Sequence, residues 1–449
     1  MGYIYKHSAC NIAALKAADS SDGLFCPKEA PTILTLQGEE YQFEDDSKYR
    51  YAFEKEDIED APLNSRAWVV QERYLTPRQL GFGKSQIYWA CRWTCASEES
   101  PDSNESPYEQ RVGQIWNLSP VDASRKKKIE ALLRDPGYME KIDQAEHWSH
   151  LDYLENLEPR VTWPTLVTAY SKCHLTYLTD KSIALAGLAA EFRETAKDTY
   201  LAGLWRHDLE YQLYWSVCDT SRSHQTIRTV QPYVAPSWSW LNMDAPVVYD
   251  PEFRAKWRDT KCVEILEVSV QSEDPNALHS FTSSTLRLRG IVLRGRLTDC
   301  AEKNLGLAGS DRGSYVDPNA FKMKNFLSRP GQDAVEEVAI QIDWDEYQLS
   351  IAEDPQRYSR LQQERSSELL ILPFRFRTVS FAHGLVLWPL EITKGETICV
   401  RLGVFRFLKE GFPMFIRETL GLPEYCFGND QIDLKDARLS SLVQEVRIQ

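Results

Sequence analysis

The stretch STLRLRGIVLRGRL, residues 284–297, alternates apolar and polar side chains. Alternation of period two fits a strand with one buried face, because successive side chains of an extended chain point to opposite sides. Four further segments are strand candidates: EEVAIQIDWD, ELLILPFRFRTV, HGLVLWPL and TICVRLGVFRFL. All of them lie beyond residue 232, where PYVAPSWSWLNMDAPVVY brings Pro breaks and alternating Trp. Helical periodicity lies before that point. PTLVTAYSKCHL and then TYLTDKSIALAGLAAEFRETAK predict helices, with Thr179 or Asp180 as N-cap of the second. LAGLWRHDLEYQLYWSV (201–217) predicts a third, with Leu204, Leu209, Leu213 and Trp215 toward one side. Residues 1–18 read as another helix, carrying Ile4, Ala9, Ile12, Ala13 and Leu15 and stopped by DSSDG. The apolar face of such a helix must dock on the rest of the chain or on a second copy.

Between these regions lies RAWVVQERYLTPRQLGFGKSQIYWAC, residues 66–91. Its first part suits a short helix after APLNS. Its second suits a hairpin turning at Gly83-Lys84. TILTLQ near residue 31 is a lone strand candidate, and SEESPDSNESPYEQ (97–110) reads as an acidic linker or exposed loop. The expected organisation is therefore an N-terminal portion over 1–96, the linker at 97–110, a helical region over 111–230 and a β-rich region over 231–449. No repeat of solenoid or propeller period is present.

Charge narrows the function classes. The net charge is -14, against the basic surface that nucleic acid or an anionic membrane requires. No apolar run approaches the ~20 residues needed to span a bilayer, and the N-terminus lacks the pattern of a secretory signal. Ten scattered Cys suit reduced thiols, and the expected location is cytoplasmic. The 13 Trp and 21 Tyr either fill cores or line apolar grooves.

Chemistry-bearing patterns are sparse. Cys91 and Cys95 have loose metal spacing without a second pair, and His147 and His150 read as a surface pair. GLAGS (306–310) is a turn rather than a phosphate cradle, and no cofactor or metal is expected. Arg66, Glu72, Arg73 and Arg78 surround Trp68. They form either an ion-paired corner or a site with Glu72 as acid or base and an Arg holding an anion. LWRHDL offers Trp205, Arg206, His207 and Asp208, as a helix terminus or as a site. Trp238 and Trp240 would share one face if extended, as a core plug or as a wall for a flat ligand.

Several blocks together resemble the fungal heterokaryon-incompatibility (HET) domain family. MGYIYKHSACNIAALKAADSSDGLF is similar to the family's Met-Gly-x-Ile-Tyr, Ile-Ala-Ala and Asp-Ser-x-x-Gly-Leu-Phe block. SRAWVVQERYLTPRQLGFGKSQIYWAC is similar to its Arg-x-Trp-x-x-Gln-Glu-Arg-x-Leu-Ser-Pro-Arg block. YLTDKSIALAGLA, YLAGLWRHDLEYQLYW, APSWSWLNMDAPV and VRLGVFRF resemble the region that follows the domain. The family's Ser-Tyr-x-Trp-Gly and Ile-Asp-x-x-Cys-Ile-x-Gln blocks lie upstream of Met-Gly-x-Ile-Tyr and are not in this sequence. The resemblance implies a remote fold relationship with TIR domains, some of which cleave NAD using a Glu. No such residue carries over here.

The fold expected is α+β, with a truncated HET-like α/β N-terminal portion, a helical middle and a β-rich C-terminal portion. Three functions follow. One is incompatibility or non-self recognition, with another HET-pathway protein as partner. The second is a cofactor-free cyclase, cycloaddition catalyst or isomerase acting on an apolar small molecule. The third is a passive interaction module. For the enzyme, the candidate catalytic groups are Arg66, Glu72, Tyr88, His207 and Asp208. The candidate substrate walls are Trp68, Trp205, Tyr211, Trp215, Trp238 and Trp240.

Overall fold

The computed structural model describes residues 2–25, 58, 60–91, 95–98, 159–207, 209–217, 234–249, 260–274, 277–299, 320–324, 338–344, 368–377, 381–392, 396–407, 434–435 and 442–449. The fold is mixed α+β, and the chain divides into two compact units, 1–200 and 201–449.

The first unit opens with helix α1 (Gly2–Lys6) and strand β1 (Asn11–Ala13). This corrects the expected helix over 1–18. The helix ends where the Ser8 hydroxyl and backbone N–H both bond the Tyr5 carbonyl. Ile12 and Ala13 then extend in parallel beside Leu80 and Gly81. A 3-10 turn, Pro62–Ser65, leads into helix α2 (Ala67–Leu75). Strands β2 (Arg78–Phe82) and β3 (Ile87–Cys91) form the expected hairpin, closed by Gly83 N–H to the Gln86 carbonyl at 3.0 Å. Strand β4 (Cys95–Ser97) completes a sheet of order β1-β2-β3-β4. Its registers make one row of Ala13, Gly81, Tyr88 and Ser97, all buried. The alternate row, Ile12, Leu80, Trp89 and Ala96, faces the other way and is partly or fully exposed.

Helices α3 (Pro159–Ser171) and α4 (Lys181–Ala196) complete this unit. On α4 the buried residues Ala184, Leu185, Leu188, Ala189 and Phe192 fall at helical spacing. Trp163 of α3 meets Phe192 edge-on, with ring centroids 4.8 Å apart. Asp180 occupies the N-cap position of α4, but its side chain makes no capping bond. TILTLQ, His147, His150 and GLAGS fall outside the described residues.

Strands β5 (Tyr200–Leu201) and β6 (Leu204–Trp205) follow, then helix α5 (Leu209–Gln212) and strand β7 (Trp215–Val217). The third long helix expected over 201–217 is therefore absent. The chain breaks at Ala202 and Gly203, both at positive φ (47 and 93), where a helix cannot continue. The four residues assigned to its apolar side are nonetheless all buried.

Beyond this point strands dominate. β8 (Val247–Tyr249) pairs with β7. β9 (Thr260–Lys261), β10 (Val263–Ser272), β11 (Phe281–Ile291), β12 (Leu293–Asp299), β13 (Ala320–Lys324) and β14 (Val338–Trp344) come next. β15 (Leu369–Arg377), β16 (Phe381–Ile392), β17 (Thr397–Phe407) and β18 (Val443–Ile448) follow. All five period-two or apolar segments picked out in the sequence are strands. They belong to one sheet of order β10-β11-β18-β17-β14-β13-β12-β15-β16, with β9 on β15. Because β16 also pairs with β17, six antiparallel strands close into a ring. Closure removes the exposed edges that an open sheet of this length would carry.

Strand β18 joins the hairpin β10–β11 to that ring, lying antiparallel to β11 and parallel to β17. Its Val446 and Ile448 are fully buried. On the opposite face Arg287 stands directly across from Arg447. Glu396 accepts from both, at 2.7 and 3.1 Å, and Glu445 accepts from Arg287 and Arg289 at 3.0 and 2.6 Å. The carboxylates convert a like-charge pair into a lattice that spans the strands.

Candidate functional site

The residues singled out in the sequence fall into two groups, one in each unit.

In the first unit the Gln-Glu-Arg run sits on α2. Gln71 is 2% exposed, and its Nε2 donates to the Ala184 carbonyl of α4 at 3.0 Å. The approach is so close that a Cβ on Gly187 would lie 2.6 Å from Gln71 Oε1. A Cβ on Gly2 would lie 3.2 Å from the Gly187 Cα and 3.4 Å from the same Oε1. Two glycines therefore let three helices meet at one carboxamide. Among the described residues, Gln71 Oε1 finds no hydrogen-bond partner.

Glu72, the candidate acid or base, is half-buried and its carboxylate acts electrostatically on the Tyr5 hydroxyl of α1. Burial, and then the Glu72 charge, push the Tyr5 hydroxyl above its ordinary range. Arg66 serves with its backbone. It caps α2 in extended conformation and bridges to His174, while its side chain is exposed. Trp68 is half-buried. Tyr88 is 8% exposed, packs with Ala13, Leu15 and Ala61, and its hydroxyl lies 3.2 Å from Gln86 Nε2. The structure thus distributes these residues over a helix junction and a sheet core.

In the second unit the Ser-Trp-Ser-Trp block is not extended. Ser239 caps a 3-10 turn, Trp240–Asn242, by accepting from the Leu241 N–H, and donates its own hydroxyl to the Ala202 carbonyl. Trp240 Nε1 donates to the Gly203 carbonyl at 2.9 Å. Trp215 Nε1 donates to the Trp238 carbonyl at 3.1 Å. Ser237 N–H bonds the Gln449 carbonyl at 3.1 Å. Trp205 is 2% exposed, and Trp215, Trp238 and Trp240 are 0% exposed. Among the described residues, Trp238 Nε1 has no acceptor.

Gln212 ties down the segment before it. Its Oε1 accepts from Trp205 N–H at 2.8 Å, and its Nε2 donates to the carbonyls of Trp205 and His207. The His207 side chain is exposed, and Asp208 is outside the described residues. Tyr211 is half-buried, its ring 5.7 Å from that of Tyr249.

The sequence reading passed over two buried polar residues on the strands behind this knot. Arg401 of β17, 3% exposed, donates to the carbonyls of Leu213 and Trp215 at 2.6 and 2.5 Å. Its guanidinium carbon lies 3.5 Å from the centre of the Trp215 ring. His383 of β16 lies 3.1 Å from the Tyr214 hydroxyl, which donates to the Phe405 carbonyl. Since that hydroxyl proton is committed to Phe405, His383 Nδ1 carries the proton of the second bond. Arg401 sits in the VRLGVFRF block, and Gln71 in Gln-Glu-Arg. The signal was a buried-pattern strand or helix carrying one polar residue.

Among the described residues, no cluster of three His, Cys, Asp or Glu side chains could hold a metal, and no helix is long and apolar enough to cross a membrane. The Cys95 side chain is not among those described.

Comparison with known proteins adds one finding. A family model, "Heterokaryon incompatibility protein (HET)", matches residues 1–72. No curated protein and no solved structure matches the chain. The matched stretch runs from α1 through β1 to Gln71 and Glu72, the α2 side chains that meet α4 and α1. Over residues 1–72, then, this chain is similar to the heterokaryon-incompatibility (HET) family.

Proposed function

We propose that this chain acts in HET-type non-self recognition or cell death, and that it does so by binding rather than by catalysis. One observation carries the reading. The aromatic and polar residues that could have formed a site are used to build two cores. Trp205, Trp215, Trp238 and Trp240 are at most 2% exposed, which suits a core better than the open wall a flat ligand needs. Glu72 is engaged by Tyr5, and the exposed Arg66 side chain faces solvent. A cytoplasmic location and a protein partner of the same pathway follow from this reading.

The test is inducible expression of the full chain in a filamentous fungus, with growth and viability as the readout. Growth arrest is expected. It should persist in Arg66→Ala, Tyr88→Phe and His207→Ala, because these alter candidate catalytic groups while leaving the cores in place. Normal growth at verified protein levels would overturn the incompatibility reading. Arrest abolished by His207→Ala in a folded protein would overturn the non-catalytic one.

A further inference from the structure

We propose that α1 is a releasable latch over the seam between α2 and α4. The helix buries no residue, and Tyr3 and Ile4 are 77% and 64% exposed. Five residues are too few to persist as a helix without outside support. That support is polar. Lys6 Nζ pairs with Glu191 Oε2 of α4 at 2.5 Å, with both side chains partly exposed, and the Tyr5 hydroxyl lies within electrostatic reach of the Glu72 carboxylate of α2. Beside it the bare backbone of Gly2 lies against Gly187 of α4 and the Leu75 and Gln71 side chains of α2. Surface pairs of this kind hold weakly, and no large apolar side chain of α1 is buried to reinforce them.

The ground beneath the latch points the same way. Gln71 Oε1 is shut from solvent with no donor among the described residues while Gly2 lies against it. A buried acceptor without a partner is costly, and release of α1 would let water satisfy it. Release would also uncover three acceptors in one strip: Gln71 Oε1 and the carboxylates of Glu72 and Glu191. Closure supplies one observed donor to that strip, the Lys6 ammonium on Glu191. The docked and open states therefore exchange protein hydrogen bonds for hydration at nearly equal standing.

Hydrogen–deuterium exchange of the full chain tests this. The readout is the amides of His7 and Ser8, which bond the carbonyls of Tyr3 and Tyr5 at 3.2 and 3.1 Å. We expect protection factors of about 30 or less there, and values at least about ten-fold higher in the last turn of α2. About 1 M NaCl, where the screening length is ~3 Å, should speed exchange at His7 and Ser8 about 3-fold. Glu191→Gln should do the same and leave α2 unchanged. Protection at His7 and Ser8 equal to that of α2 would overturn the latch. So would indifference of these amides to both salt and Glu191→Gln.

Discussion

Trp240 Nε1 donates to the carbonyl of Gly203 at 2.9 Å, and a Cβ on Gly203 would lie 2.9 Å from that same nitrogen. The ring and the positive-φ turn thus specify each other across the sequence. Trp238, equally buried, has no acceptor for its own indole N–H among the described residues. Replacing either ring by Phe removes similar volume from the core. Only Trp240→Phe removes a hydrogen bond, the one from the indole to the Gly203 carbonyl. It should therefore destabilise the protein by about 1–3 kcal/mol more than Trp238→Phe, as measured by denaturant unfolding. Equal losses would show that the bond to Gly203 contributes nothing net.

A second prediction concerns the helix junction. Gly187→Ala places a methyl 2.6 Å from Gln71 Oε1 and 2.8 Å from its Cδ. Both lie in a buried side chain already bonded to Ala184, so the carboxamide cannot simply swing away. The helices must separate or the bond must break. A loss of about 1–3 kcal/mol is expected. Gln71→Ala combined with Gly187→Ala should recover part of it, because the first change removes the atoms that the second strikes. A double-mutant cycle on thermal unfolding reads this coupling. Strict additivity would mean the two residues do not contend for the same space.

How far the sequence carried this structure depends on the kind of signal. The strands of the second half were legible because burial of one face imposes period two, and that pattern survives in single residues such as those of 284–297. The closure of the ring was not, since pairing of β16 with β17 is a tertiary choice that leaves no local periodicity. Residues 201–217 misled for a physical reason. Buried Leu and Trp at irregular intervals fit a helix loosely, while Gly203 and the Gln212 clamp decide the backbone. At residues 1–18, Ile12 and Ala13 join a strand through contacts with residues about 68 positions away in register, which outweigh local helix preference. Among the blocks singled out in the sequence, two carry buried polar residues that the reading passed over. Gln71 rather than Glu72 ties α2 to α4, and Arg401 in the last block holds the backbone beside Trp215.

Arg401 allows a sharper test of that last point. It spans two carbonyls while stacking on Trp215, a geometry that needs a planar fork. Arg401→Lys keeps the charge but cannot reach both carbonyls and stack at once. It should cost about 2 kcal/mol. Arg401→Met leaves both carbonyls without a donor and should cost about 3–5 kcal/mol. Both values are accessible by denaturant unfolding, with Trp fluorescence as the probe. If Lys is tolerated without loss, charge alone suffices and the fork is incidental.

The thiols of half-buried Cys173 and buried Cys399 give stability a defined pH dependence. Burial pushes Cys173 up to about 11 and Cys399 up to about 12, from an ordinary value of 9.0. Arg73 and Lys172 oppose the shift at Cys173, and Arg294 opposes it at Cys399, without cancelling it. The folded state therefore holds these protons more tightly than the unfolded chain does. The resulting stability is fully present below pH 9 and is lost as pH rises through about 11 and then about 12. For Cys173 the shift corresponds to about 3 kcal/mol when the thiol is fully ionised. Tyr170, whose hydroxyl burial also raises, acts in the same direction. Unfolding free energy measured from pH 8 to pH 11 should fall, and it should fall less in Cys173→Ala. At pH 8 the exposed Cys10 should react readily with iodoacetamide, the half-buried Cys173 should react more slowly, and the buried Cys399 should remain unmodified until the chain is denatured. Alkylation of Cys173 in the native protein at the rate of Cys10 would contradict the burial on which this prediction stands.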